Sequence, residues 1–131
     1  MMQAMNTGHE GSMTTLHANS PKDALNRLET MVLMAGMEIP IRAIREYIEN
    51  AIDIVINITR LTDGKRKITS ICEVVGFDND EIKLNEIFAF NQTGITEEGE
   101  VIGEFVLNKA SKATYDRLKS RGITDLKDIF E

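Results

Sequence analysis

The chain has 131 residues, of which 42% are hydrophobic and 27% are charged, and its formal net charge is -6. This length and composition fit one soluble globular domain, or a large part of one. The negative charge argues against binding nucleic acid through general electrostatics, because phosphate contacts require clustered Lys and Arg side chains. The basic run Lys65-Arg66-Lys67 is too short to change that expectation.

Targeting signals and disulfides are also missing from the sequence. No stretch approaches the roughly 20 apolar residues of a membrane-spanning helix, and the N-terminus lacks the basic and apolar pattern of a signal peptide. The single cysteine, Cys72, excludes an intramolecular disulfide and is compatible with a reducing compartment. We therefore expect a soluble, cytoplasmic protein that does not insert directly into a membrane.

The first elements are predicted from local signals. Residues 1–12 resemble the end of a helix that runs into a Gly-rich loop, and the β-branched and apolar residues of Met13–Ala18 predict a short buried strand. Ser20 is a good N-cap and Pro21 suits the first helical position. Apolar residues at helical spacing follow, and Gly36 is placed to end this helix.

A second helix is predicted to begin at Pro40. Its apolar residues share one predicted face: Ile41, Ile44, Ile48 and Ile52. From Asp53 onward the apolar period changes to two, which indicates strands, and Asp63-Gly64 is a strong hairpin signal.

The rest of the chain continues this meander and ends in a helix. Further strands are predicted at Ile82–Asn91 and Val101–Leu107, after a turn at residues 78–80. Ser111–Arg121 is predicted to be a helix ended by Gly122, and a short amphipathic turn is expected at residues 125–130.

Four segments result from this order. They are a segment that contains both histidines (1–20), a helical pair (21–52), an antiparallel β-meander (53–108) and a carboxy-terminal helical segment (109–131). A lone first strand would have two exposed edges, which proteins usually avoid. We therefore expect it to belong to a sheet whose other strands lie upstream of Met1.

The residues with most chemical information lie between positions 6 and 20. Gly8 and Gly11 free the backbone around His9, and His17 lies at the end of the predicted strand. Ligands of open α/β sheets bind outside the carboxyl ends of the strands. An imidazole at position 17 can therefore face a bound phosphate and donate a hydrogen bond to a γ-phosphate oxygen.

These residues carry a family resemblance. The pattern Gly8-His9-x-Gly11-Ser12-x-x-Thr15-x-His17-Ala18 resembles the His box of the secretion-ATPase superfamily, which drives type II and type IV secretion, type IV pili and archaeal flagella. The stretch from Met2 to Gly36 resembles the CpaF-type ATPases of Tad (Flp) pilus assembly. The helix at residues 40–46, the hairpin at 53–75 and residues 86–88 are also similar, so the resemblance covers nearly the whole chain.

The resemblance implies a fold, cofactors and partners. The fold is α/β, the carboxy-terminal portion of a RecA-like P-loop ATPase core that assembles as a hexamer. The cofactors of the full-length protein are ATP and Mg²⁺. The implied partner is an inner-membrane platform protein, which would place the protein at the cytoplasmic face of that membrane. No nucleic acid is expected as a partner.

The resemblance also implies site residues. His9 and His17 are identified as the His-box histidines, with a catalytic role near the nucleotide phosphates. Arg42 and Arg45 lie on a helix that would relay motion between subunits. The remaining nucleotide-proximal candidates are Gly8, Gly11, Ser12, Thr15, Asn19 and Ser20.

One departure from the family pattern matters more than the match. The GxxxxGK[ST] loop that binds phosphates in this family does not occur in the sequence, and neither does the region with the acidic residue that handles Mg²⁺. The pair Gly64-Lys65 lies at a predicted hairpin tip and is followed by Arg66. A His box cannot replace the backbone amides and lysine of such a loop. We therefore expect this chain alone to bind no cofactor and to hydrolyse no ATP at a meaningful rate.

Simpler interpretations of the same residues stay open. His9 and His17 could be structural, or metal ligands, although a metal site needs further ligands and no Cys or second His cluster is nearby. Arg42 and Arg45 could be solvated residues in surface ion pairs. Cys72 is expected to pack as a small apolar residue. The methionines at 31, 34 and 37 are expected to fill the core.

A second function class competes with the motor. The β-meander and the last helix could form a non-enzymatic interaction module that docks a neighbouring subunit or a membrane platform protein. A sheet without its upstream strands leaves apolar surface exposed, and exposed apolar patches favour association. We therefore expect self-association or a partner.

Overall fold

Two helices, a four-stranded antiparallel sheet and a third helix follow one another in the computed structural model, which describes residues 13–36 and 38–123. The elements are α1 (Pro21–Met34), α2 (Ile41–Ala51), β1 (Ile54–Arg60), β2 (Arg66–Asp78), β3 (Glu81–Ile95), β4 (Val101–Leu107) and α3 (Lys112–Ser120). The α/β class, the helical pair, the meander and the last helix are confirmed. The predictions for residues 1–12 and 125–130 lie outside the described residues.

The strand predicted at Met13–Ala18 is wrong. These residues have no regular secondary structure. The described sheet has the order β1-β2-β3-β4, so β1 is an edge strand that pairs with β2 alone. A strand is defined by hydrogen bonds to a neighbour, and none of the described strands pairs with this segment. The β-propensity of its threonines is not sufficient without a partner.

The predicted helix ends are confirmed. The Ser20 hydroxyl accepts a hydrogen bond from the Asp23 backbone N–H at 3.1 Å, which satisfies a free donor of the first turn of α1. The Asp23 carboxylate in turn accepts from the Asn19 N–H at 3.1 Å. Beyond the other end, Gly36 has a φ of 79°, the left-handed conformation that glycine tolerates.

The core lies between the helical pair and one end of the sheet. Its buried residues are Leu25, Leu28 and Val32 of α1 and Ile44 and Ile48 of α2, with Val55, Ile82 and Leu84 of the sheet packed against them. Ile44 and Ile48 are 0% exposed. This burial is the main force that holds α1 and α2 to the sheet, because apolar area removed from water dominates packing energy.

Some residues predicted to be buried are exposed. Ile41 is 46% exposed, although the other isoleucines of α2 share a buried face. Met31 and Met34 are also exposed, so the prediction that they fill the core is wrong for them, and Met37 lies outside the described residues. The buried stripe of α1 follows Leu25, Leu28 and Val32 at helical spacing. Met34 lies on the opposite side of that helix.

The sheet is a simple meander with two confirmed turns. Asn79 and Asp80 both have positive φ, as the turn between β2 and β3 requires. The tip of the β1–β2 hairpin contacts the start of β4, because the Asp63 carboxylate accepts hydrogen bonds from the N–H groups of Lys65 (2.9 Å) and Val101 (3.1 Å). These backbone hydrogen bonds, first that of Val101, lower the pKa of Asp63.

Among the described residues, no helix combines the length and the apolar composition that crossing a membrane would require.

Candidate functional site

The residues on both sides of His17 are held in place by contacts with the rest of the fold. Leu16 packs against the core cluster. After His17, the capping hydrogen bonds of Asn19 and Ser20 to Asp23 fix the angle at which the chain enters α1. The imidazole itself is exposed. The structure therefore places His17 on an irregular segment, whose position is set by Leu16 and by the cap of α1.

A groove of about 290 Å³ lies between this segment and the open edge of β1. Thr15 and His17 contribute to one wall and residues 54–58 of β1 form the other, while Leu25 and Leu28 of α1 also line it. Within residues 13–36 and 38–123, no strand pairs with the outer edge of β1, and a strand edge of this kind can accept a further neighbour. The groove combines an apolar lining with a few polar side chains, as ligand-binding clefts do.

The predicted nucleotide-proximal residues, the two histidines included, fall into three groups. Thr15 and His17 meet at the groove. Asn19 and Ser20 lie immediately after it, where their visible role is to cap α1. The other candidates lie outside the described residues: Gly8, His9, Gly11 and Ser12. Their proximity to a nucleotide, and that of Thr15 and His17, stays a prediction.

Arg45 joins three elements of the fold. Its guanidinium donates two hydrogen bonds to the Glu29 carboxylate of α1, from Nε at 2.9 Å and from Nη2 at 3.2 Å. Its Nη1 donates to the Asp80 carbonyl in the β2–β3 turn at 2.8 Å. The hydrogen bond to Glu29 is the main cause that raises the pKa of Arg45. A fork-shaped contact of this kind fixes geometry as well as charge.

Arg42 lies one helical turn before Arg45 and is more exposed. Its Nε lies 3.5 Å from the Glu46 carboxylate and 3.4 Å from the Asp80 carboxylate. Exposed pairs of this kind contribute little to stability. Both arginines therefore form ion pairs in the first half of α2. Their role in coupling motion between subunits stays a prediction.

Sequence reasoning missed the partners of these side chains. Glu29 belongs to the helical pattern of α1 and stands 16 positions before Arg45, so no local spacing indicated the pair. Asp80 was recognised only as a turn residue. The available signal was weak: an acidic residue on α1 and a basic residue on α2, in helices that the sequence predicts to be neighbours.

The residues present do not fit ATP and Mg²⁺ by themselves. The sequence has no Gly-rich loop ending in Gly-Lys-Ser/Thr whose amides could cradle phosphates. Within the part of the chain that the structure describes, no cluster of His, Cys, Asp or Glu is arranged to hold a metal ion. His17 and Thr15 could contribute hydrogen bonds to a phosphate that another segment holds, but they could not hold it alone.

Comparison with known proteins decides the family. A family model described as "Type II/IV secretion system protein" matches residues 1–119. The chain belongs to this family. The match includes the His17 segment, the helical pair, the whole meander and nearly all of α3.

Individual relatives agree with that assignment. The chain is 33% identical over 79 residues to the conjugal transfer protein TrbB of Rhizobium radiobacter, which covers 60% of this chain and 23% of the relative. It is 31% identical over 84 residues to a probable TrbB of Sinorhizobium fredii, covering 64% of this chain and 24% of the relative. A putative conjugal transfer protein of Mycobacterium tuberculosis is 30% identical over 71 residues, covering 54% of this chain and 20% of the relative. The chain thus spans about a quarter of the length of the curated relatives it matches.

Proposed function

We propose that this chain is the carboxy-terminal part of a hexameric ATPase that powers pilus assembly or type II/IV protein secretion. The family match over residues 1–119 carries the proposal, because it includes both histidines of the His-box pattern. The resemblance of residues 2–36 to CpaF-type ATPases favours Tad pilus assembly. The relatives are named conjugal transfer proteins, which makes a conjugative system the other candidate.

In this proposal His17 senses the terminal phosphate of the nucleotide. Its exposed imidazole lies beside an open groove, on a segment fixed by Leu16 and by the cap of α1. An imidazole N–H so placed can donate a hydrogen bond to a γ-phosphate oxygen. The phosphate-binding loop and the Mg²⁺ ligand would be supplied by another part of the full-length protein, as the family resemblance implies. His9 would act beside His17.

The proposal also includes coupling between subunits and a membrane partner. Movement that begins at the His box would reach Arg45 through α1, since Glu29 of α1 is hydrogen-bonded to Arg45, and Arg42 contacts the same β2–β3 turn through Asp80. The platform protein of the inner membrane would be the partner, at the cytoplasmic face. The hexamer would provide the neighbouring subunit on which the arginines act.

An interaction module is the second candidate function, and the exposed apolar surface of the sheet supports it. Ile54, Ile56 and Ile58 alternate along the edge strand β1 and are each more than two-fifths exposed. Phe105 and Leu107 of β4 are also exposed. Exposed apolar side chains in such number favour association with a partner. The isolated chain could act as a docking module even if it derives from an ATPase.

The isolated chain is expected to release no inorganic phosphate from ATP above the buffer background. The reason is that the His-box segment supplies no phosphate-cradling amides and no P-loop lysine. The measurement is phosphate release by the purified chain with ATP and Mg²⁺, alone and after joining to a P-loop-bearing portion of the same family. Hydrolysis should appear only in the joined polypeptide.

The control is the same joined polypeptide with its P-loop lysine replaced by alanine, which should return to background. Turnover by the isolated chain that persists through further purification would contradict the proposal. A joined polypeptide that folds and binds ATP but never hydrolyses it would favour the interaction module.

A further inference from the structure

The helix α3 is attached to the sheet mainly through one buried carboxylate. Glu73 of β2 is 1% exposed, although it is charged. It accepts hydrogen bonds from the Ser111 backbone N–H at 2.5 Å, from the Ser111 hydroxyl at 3.1 Å and from the Thr114 hydroxyl. All three donors belong to the N-cap and first turn of α3. The carboxylate therefore satisfies the free end of the helix from outside.

A side chain of the sheet also donates a hydrogen bond to this carboxylate. The Asn85 amide of β3 donates to Glu73 at 2.6 Å and to the Lys109 carbonyl at 3.0 Å. Burial alone would raise the pKa of Glu73, but the hydrogen bonds from Thr114, Asn85 and Ser111 more than offset burial and lower it. Glu73 is therefore ionised at neutral pH, and its strength as an acceptor depends on that charge.

The remainder of α3 adds little burial. None of its nine residues is buried, whereas α1 and α2 contribute three buried residues each. Tyr115 and Leu118 are half-buried. Arg117 lies 2.5 Å from the Asp53 carboxylate, but both side chains are more than half exposed, and exposed ion pairs contribute little. Helix α3 is thus held more by the hydrogen bonds of Glu73 than by apolar contacts.

We propose that α3 is a releasable strap, which leaves the sheet when the hydrogen bonds of Glu73 open while the helical pair and the sheet stay folded. The chain would bend just after Asn108, which stays attached to β3. The backbone N–H of Asn108 donates to the Ile87 carbonyl at 2.9 Å, and its side-chain amide donates to the Glu86 carbonyl at 3.1 Å. Release frees residues 109–123 of the described chain. Local opening of this kind is expected where few apolar contacts hold an element.

Release changes what the sheet presents to a partner. Glu73 is paired with Ile54 across β1 and β2. After release, its carboxylate would therefore lie beside the exposed isoleucines of the edge strand. The uncovered Glu73 and Asn85 side chains offer an acceptor and a donor that the strap had occupied.

Hydrogen–deuterium exchange on the complete 131-residue chain tests this strap. In the wild-type chain, amides of residues 112–120 should exchange about 100-fold faster than those of α2, because they open without global unfolding. Thr114→Val removes one hydrogen bond to Glu73 and keeps the side-chain shape. It should speed exchange within α3 about tenfold more, and leave α2 and β2 unchanged.

The matched control is Thr69→Val, which removes a hydroxyl that bonds to Asn57 and Thr59 far from α3. It should leave exchange in α3 at the wild-type rate. The proposal is overturned if α3 exchanges in step with α2 in the wild-type chain. It is also overturned if Thr114→Val leaves α3 unchanged or speeds all elements equally.

Discussion

Replacing Ile48 with alanine is expected to lower the free energy of unfolding by about 3 to 4 kcal/mol. Ile48 is completely buried between α1 and the sheet, in contact with the cluster that Leu25 and Leu28 form. The substitution removes buried apolar atoms and leaves a cavity that a densely packed core cannot close fully. A loss of this size is a large fraction of the stability of an ordinary domain.

Urea denaturation followed by far-UV circular dichroism measures this effect. The matched control is Ile41→Ala, the same chemical change in the same helix at a residue that is 46% exposed. The control should cost less than about 1 kcal/mol, since little buried area is lost there. Equal losses for the two variants would mean that α2 does not pack on the sheet in solution as described.

Replacing Gly103 with alanine is expected to lower the free energy of unfolding by about 2 kcal/mol. The ring of Phe90 lies directly over Gly103, and a methyl group there would meet the ring carbon Cε2 at 2.7 Å and the Asn91 carbonyl oxygen at 2.6 Å. Phe90 would have to leave its place against Phe105, whose ring centroid lies 5.2 Å away. Its contact with the Lys67 ammonium, 4.8 Å above the ring, would also be lost.

The same denaturation experiment, with Gly94→Ala as control, separates this clash from a general effect of glycine. Gly94 lies in β3 with open space where a methyl group would be placed. Its alanine variant should stay within about 1 kcal/mol of wild type. If Gly103→Ala is as stable as Gly94→Ala, Phe90 does not cover Gly103 in solution.

Local signals predicted most of the fold correctly. Ser20, Pro21 and Gly36 bounded α1 because capping and backbone conformation depend on a few neighbouring residues. Asp63-Gly64 marked the β1–β2 turn for the same reason, and the period of two marked β1. These elements need no knowledge of distant residues.

Features that depend on distant partners could not be predicted. The Met13–Ala18 segment had strand composition, but a strand also needs a hydrogen-bonding neighbour. Glu73 was unremarkable in sequence, and its donors Ser111 and Thr114 follow it by 38 and 41 positions. The side of α1 that is buried was fixed only by how α2 packs on it, so Met34 was misplaced.

The same distinction applies to the candidate site. The position of His17 just before a capped helix followed from the sequence. The groove between the His17 segment and β1 could not be predicted. These two segments are about 40 residues apart in sequence, and the width of the groove depends on how the helical pair positions them. Its apolar lining by β1 was likewise invisible until the register of the sheet was known.

The kcat for ATP hydrolysis tests most directly whether His17 belongs to half of a nucleotide site. The measurement uses the polypeptide in which this chain is joined to a P-loop-bearing portion of the family. His17→Ala should lower kcat about 100-fold, as expected when a hydrogen-bond donor to developing charge is removed. Met13→Ala, a change at an exposed residue of the same segment, should leave kcat unchanged. Wild-type kcat in the His17→Ala variant would contradict the account.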